Sequence, residues 1–204
     1  AEIIAIGTEL LLGEIQDTNT RYLARRLRDH GVNLFRTTMI GDNMERVAEA
    51  VNESLSRADI VITTGGLGPT VDDPTRDAIA LAFGVETEYH PELWDQIVQR
   101  FSRFHRTPTE NNKRQAYVPK GGTAVENPVG TAPCFIMEKD GKCVFTLPGV
   151  PSEMEYLTTN ALLPYLVEAY DLHEIIKAQV LHTIGLGEST VDDKIGDLEL
   201  LTNP

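Results

Sequence analysis

The chain has 204 residues, 41% hydrophobic and 24% charged, enough to bury a core in one large domain or in one domain with a small appendage. With 18 Lys and Arg against 31 Asp and Glu, its net charge of −13 argues against nucleic-acid binding, which needs a basic surface to displace counterions from phosphates. No run approaches the ~20 apolar residues that span a bilayer, and the amino terminus lacks the basic region and cleavage spacer of a signal peptide.

The chain starts at Ala1 rather than at an initiator methionine, which suggests that a residue or two precedes it. Residues 3–6 form a short apolar run closed by Gly7, the pattern of a buried strand in a parallel sheet. Tyr22, Leu23 and Leu27 recur at helical spacing over residues 18–30, and Gly31 stops that helix; Arg21, Arg25, Arg26 and Arg28 on it read as a solvated face. Residues 32–39 read as a second strand. Asp42 or Asn43 caps the next helix, whose Val47, Val51 and Leu55 fall four apart. Another apolar strand, residues 60–63, runs into a glycine-rich turn. Asp73-Pro74 then opens a helix through Phe83, and Pro91 opens one carrying Leu93, Ile97, Val98, Phe101 and Phe104. Residues 107–130, rich in Pro, Gly, Asn and Lys, read as a long connection of the kind that serves function. Asp140-Gly141 marks a hairpin pairing Lys139 with Lys142 and Glu138 with Cys143. Cys134 then lies opposite Leu147, too far from Cys143 for a disulfide, and two free thiols fit a reducing, cytoplasmic setting. A helix starts at Pro151 and a late strand covers residues 175–184. Strands alternating with helices predict an α/β fold with a parallel sheet covered on both faces.

Chemistry concentrates at strand-to-helix turns. In Thr64-Gly65-Gly66-Leu67-Gly68-Pro69-Thr70-Val71-Asp72-Asp73, glycines let backbone N–H groups approach an anion, so Gly65, Gly66 and Gly68 are candidates to cradle a phosphate. The segment lacks the Lys of a Walker A loop and is not G-x-G-x-x-G. Asp73 has two readings, helix cap or site, whereas Asp72 has no capping duty and is the better candidate for a metal or an activated water. After the first strand come Gly7-Thr8-Glu9-Leu10-Leu11-Leu12-Gly13 and Asp17-Thr18-Asn19, past the carboxyl end where open α/β sheets bind ligands. Glu9 reads as a site residue, and Asp17 equally as site or cap. Glu153 either answers the helix dipole or ligates a metal beside Asp72. Lys113 and Arg114 are candidate phosphate clamps, with surface charge as the competing reading. His30, His90, His105, His173 and His182 show no ligand spacing, so a metal here would be a hard ion on carboxylate oxygens.

These turns, with Asn127-Pro128-Val129-Gly130-Thr131-Ala132-Pro133, Leu147-Pro148-Gly149-Val150-Pro151-Ser152-Glu153-Met154 and residues 185–189, resemble the amino-terminal domain of the competence/damage-inducible CinA family, in that family's order along nearly the whole chain. The resemblance implies a three-layer α/β/α, molybdopterin-binding-like fold of the MoaB/MogA type, with a mostly parallel sheet and a small β-hairpin excursion. It implies a nucleotide-processing domain over residues 1–170, with 171–204 starting a following, truncated segment and the family's carboxyl-terminal nicotinamide-nucleotide deamidase domain absent. The implied activity is metal-dependent hydrolysis of the diphosphate of ADP-ribose to AMP and ribose 5-phosphate. Alternatives are a non-catalytic molybdopterin or nucleotide-binding module, or a molybdopterin nucleotidyl transferase, since one fold hosts all three. Asp72, Asp73 and Glu153 are the expected catalytic residues, with Asp72 and Glu153 on a divalent ion (Mg²⁺, Mn²⁺ or Co²⁺) and a monovalent cation as a further candidate. Gly7, Thr8, Glu9, Asp17, Asn19, Thr64, Gly65, Gly66, Gly68, Lys113, Arg114 and Thr131 are the expected substrate contacts. Cys134 stands where relatives carry glycine, and its side chain is expected to narrow the ligand's approach. The expected partners are a small-molecule nucleotide and a second copy of the chain, a dimer being favoured, with neither nucleic acid nor membrane.

Overall fold

A computed structural model describes residues 1–103, 105–172 and 182–199. Six strands form the main sheet in the order β2 (Arg36–Ile40), β1 (Glu2–Ile6), β3 (Ile60–Thr64), β8 (Lys142–Leu147), β7 (Cys134–Lys139), β6 (Thr123–Val125). The first four are mutually parallel; β7 runs antiparallel to β8 and to β6. β1 and β3 are buried at every position, as their unbroken apolar runs predict for strands covered on both faces.

Alternate strand residues feed two cores. Ile4, Ile6, Val61 and Val144 meet Val47 and Val51 of α3 (Met44–Arg57), Ile79 of α4 (Thr75–Phe83) and Leu93 and Ile97 of α5 (Pro91–Arg103). On the other face Ile3, Ile62 and Phe145 meet Leu23 and Leu27 of α2 (Thr18–Asp29), Met154 and Leu157 of α6 (Pro151–Leu157) and Leu166 of α7 (Leu163–Tyr170). The result is the expected three layers. Among the described residues no helix is long and apolar enough to cross a membrane.

The structure refines the sequence reading at several points. The second strand begins at Arg36 rather than at residue 32, because the Val32 N–H donates to Leu27 O at the end of α2 and its side chain sinks into the core. Residues 8–11, expected to be a turn, close one helical turn, α1 (Thr8–Leu11). The long connection is not structureless. It holds a 3₁₀ helix, Glu110–Ala116, started by Asn112 Oδ1 accepting from the Thr109 N–H at 2.9 Å, and then β5 (Tyr117–Pro119) and β6. β5 pairs with β4 (Thr87–Tyr89) in a two-stranded sheet outside the main one, while the Asp140-Gly141 hairpin is part of the main sheet. That hairpin has the predicted register, and both cysteines are free and buried. Phe104, His173 and most of the strand expected over residues 175–184 lie outside the described residues. The last described helix is α8 (Glu188–Glu199).

Candidate functional site

β1, β3 and β8 run parallel, so Ile6, Thr64 and Leu147 all end at one edge of the sheet, and the turns behind them share a space. A cleft of ≈500 Å³ opens there, lined by Gly7, Glu9, Gly65, Gly66, Gly68, Asp72, Asp73, Thr131 and Glu153. A contiguous hollow of ≈260 Å³ shares Glu9 and Gly65 and adds Asp17, Asn19 and Thr64. Most of the sequence-derived candidates therefore converge on one rim, the position at which open α/β sheets take their ligands.

Backbone geometry makes the glycine turn. Gly65 has φ +105°, a left-handed conformation closed to side chains, and a Cβ there would collide with Ile6 O. Thr75 Oγ1 donates to Gly65 O at 2.8 Å and the Thr75 N–H to Gly66 O at 3.1 Å, tying the turn to the start of α4. The Gly65 N–H is already spent on Leu147 O at 3.0 Å, so Gly65 cannot join a phosphate cradle as expected. The N–H groups of Gly66, Leu67 and Gly68 have no partner among the described residues and are the amides of this turn that could meet an anion.

A buried residue without a sequence signal fixes this turn. Arg76, on the first turn of α4, donates through Nη2 to Leu67 O and Gly68 O, both at 2.7 Å, and through Nε to Arg114 O at 2.9 Å. Burial lowers its pKa to about 10 against the raising effect of Asp73 and Asp77, so it stays charged at neutral pH. Asp73 is not the cap of α4: the capping position is Pro74, and Asp73 Oδ2 instead accepts from the Thr70 N–H at 2.8 Å and the Thr70 hydroxyl at 2.7 Å. Its carboxylate thus braces the loop, whereas Asp72 is exposed on the cleft and free of such duty.

Glu153 stands on the first turn of α6, facing the loop of residues 127–132. Asn127 ties the two together: Nδ2 donates to Ala132 O at 3.0 Å and to Glu153 Oε2 at 2.5 Å, while Oδ1 accepts from the Val129 and Gly130 N–H groups. The carboxylate lies so close to Gly130 that any Cβ there would strike it. Burial raises the Glu153 pKa, opposed by the Asn127 hydrogen bond and the charge of Arg100. A half-buried carboxyl with a raised pKa in a cleft is a candidate acid–base group.

Other candidates play structural parts. Asp17 caps α2, accepting from the Thr20 N–H at 2.9 Å, while also lining the hollow. Asn19 Nδ2 donates to Thr64 Oγ1 (3.0 Å) and Gly149 O (2.8 Å), clasping the ends of β3 and β8. The Thr8 N–H donates to Asp42 Oδ2 at 2.7 Å, and Thr8 faces neither cavity. Asn43 takes the cap of α3, and that frees Asp42 for this contact. Lys113 is outside the cleft, paired with Glu110 at 2.7 Å. Arg114 is not on the cleft wall but lines an adjoining ≈200 Å³ recess, which shares Gly68, Thr70 and Asp73 with the cleft, and it donates to Thr70 O. Cys134 does not narrow the cleft: it is fully buried in the core beneath the sheet, its thiol pushed up to about 12.

Glu9, Asp42, Asp72, Asp73 and Glu153 line the cleft with no Lys or Arg among them, so its side chains repel an anion and a bound cation would offset that repulsion. No group of three or more His, Cys, Asp or Glu forms a ready-made metal cage among the described residues. Asp72 and Glu153, both on the cleft wall, are the carboxylates that could offer oxygens to a hard divalent ion.

Residues 2–168 match the family described as "Probable molybdopterin binding domain". A competence-damage inducible protein of Clostridium botulinum is 45% identical over 205 residues, covering 100% of this chain and 50% of that protein. One from Halothermothrix orenii is 43% identical, covering 100% and 49%. The chain thus spans about half the length of these curated relatives. Among solved structures, the protein CinA from Thermoplasma acidophilum has a TM-score of 0.74 at 32% identity, covering 80% of this chain and 95% of that one. The molybdopterin biosynthesis enzyme MoaB of Thermus thermophilus has a TM-score of 0.55 at 18% identity, covering 84% and 93%, which speaks to the fold alone.

Proposed function

The chain belongs to the family of probable molybdopterin binding domains and, within it, to the CinA proteins, and from that premise we propose that it hydrolyses the diphosphate of ADP-ribose to AMP and ribose 5-phosphate. One observation carries the reading: unpaired amides of residues 66–68, which suit an anion, share a single cleft with carboxylates that suit a cation. A diphosphate accompanied by a divalent ion satisfies both. The choice of ADP-ribose over other diphosphates rests on the resemblance to the CinA amino-terminal domain.

In this reading the amides of Gly66, Leu67 and Gly68 hold one phosphate, kept in place by Arg76 and Asp73 behind the loop. Asp72 and Glu153 would hold the divalent ion, with Mg²⁺, Mn²⁺ and Co²⁺ as candidates. Bound there, the ion supplies neutralisation of charge on the phosphate oxygens. Glu153, oriented by Asn127, accepts a proton from the attacking water as its oxygen bonds to phosphorus. The P–O bond of the anhydride breaks and the bridging oxygen departs with the second phosphate. Glu9, Asp17 and Asn19 edge the hollow beside the cleft, where one sugar rests.

The test is to incubate the chain with ADP-ribose and each of the three ions and follow AMP. Release of AMP with at least one ion is expected; intact substrate with every ion refutes the proposal. The family description favours a second reading, a module that binds molybdopterin without catalysis. It predicts saturable molybdopterin binding with no product. A molybdopterin nucleotidyl transferase would instead move AMP from ATP onto the pterin.

A further inference from the structure

Beside the acidic cleft lies a pocket of different character. It measures ≈480 Å³, shares Thr131 and Glu153 with the cleft, and adds Arg100, Phe101 and Arg106. We infer that this pocket is the base-binding half of the site, taking the planar ring and first phosphate of a nucleotide while the cleft holds the bond to be cleaved. The inference rests on the hydrolysis reading above and specifies which end of the substrate goes where.

Three observations support the assignment. First, the volume suits a mononucleotide-sized group, within the range of small-molecule sites. Second, its chemistry complements that of the cleft, which offers five carboxyl groups and no cation, whereas the pocket offers two guanidinium groups and an aromatic ring. Phe101 packs against the core that contains Leu93 and Ile97 and also lines the pocket, so a base stacking on it meets a surface already held in place. Third, the two spaces are physically joined. Arg100 Nη2 donates to Val129 O at 2.5 Å, fastening the end of α5 to the loop that carries Gly130 and Thr131. That loop is also the one Asn127 ties to Glu153. A ligand lying from Phe101 to Gly66 therefore passes Glu153 on its way.

Basic residues at the end of a helix also answer the helix dipole, which alone explains Arg100 and Arg103. It does not explain Arg106, which lies beyond the helix, is exposed and lines the pocket all the same.

The experiment uses calorimetry on the full chain, with AMP, adenosine and ribose 5-phosphate as probes and without hydrolysis. Phe101→Ala is expected to weaken AMP and adenosine binding roughly fivefold to a hundredfold, the loss seen when one stacking aromatic is removed, while leaving ribose 5-phosphate binding unchanged. Arg106→Ala, at an exposed position where folding is not at stake, is expected to weaken AMP and spare adenosine. AMP binding that survives both substitutions overturns the inference, as does an equal loss for ribose 5-phosphate. If AMP binds as described but ADP-ribose is never cleaved, the hydrolysis reading falls and the base pocket stands.

Discussion

Replacing Arg76 by Met keeps an unbranched apolar stem of similar length and removes the guanidinium. Arg76 is only 6% exposed, and its three hydrogen bonds reach carbonyls of the glycine turn and of Arg114. Charged hydrogen bonds contribute roughly 1.5–3 kcal/mol each. Against this stands the cost of burial, which lowers the pKa from 12.5 to about 10 and corresponds to about 3 kcal/mol. The balance is a net loss of roughly 1.5–6 kcal/mol on substitution, or about 3–24 °C in Tm for a domain of this size. Because two of the freed carbonyls, Leu67 O and Gly68 O, belong to the turn proposed to hold a phosphate, ligand affinity should fall with stability. Urea unfolding of both proteins, with calorimetric titration of AMP, measures the two effects. A stability change below about 0.5 kcal/mol, the range of an ordinary surface substitution, together with unaltered binding, would refute the argument that one buried guanidinium organises the turn.

Asp72→Ala removes an exposed carboxylate with no structural partner and should abolish AMP release with Tm unchanged; full activity would take Asp72 out of the site. Glu153→Gln should also abolish turnover, yet raise stability at neutral pH. Burial raises the Glu153 pKa, so its favourable contribution is complete below the unfolded value of 4.5 and is lost as pH rises through the folded one. The variant's advantage should therefore shrink as pH is lowered toward 4.5, and thermal melts across that window check it. Gly65→Ala forces a side chain into a left-handed conformation and onto Ile6 O, so a loss of roughly 1–3 kcal/mol is expected in denaturant titration.

Periodic features of the sequence carried most of the architecture. The apolar runs of β1 and β3 and the spacing of Leu23 and Leu27 follow from burial alone, and Asp140-Gly141 fixed the hairpin register through its turn. Glycines after parallel strands located the rim, because carboxyl ends of parallel strands must open on one side. Contacts between distant segments were not legible. Nothing local distinguishes Arg76 from any other arginine early in a helix, and its role exists only once residues 67, 68 and 114 surround it. Asn127 carried a usable hint, since Asn-Pro-x-Gly favours a side-chain-to-backbone turn, but its bond to Glu153 is tertiary. Lys113 looked like a phosphate clamp because charge is visible in a sequence, whereas its pairing with Glu110 three residues earlier is visible only on the 3₁₀ helix.

The placement of β8 affects how the protein is made. β3 is flanked by β1 on one side and by a strand that arrives late on the other; Thr64 and Pro148, which touch at that seam, are 84 residues apart. While the chain emerges from the ribosome, the open edge of β3 has nothing of its own to pair with until the hairpin has been synthesised, and in that interval it is a template for a neighbouring nascent chain. The rim cleft is complete only when this last central strand inserts, so a prematurely terminated product would expose a sticky sheet margin and lack that cleft.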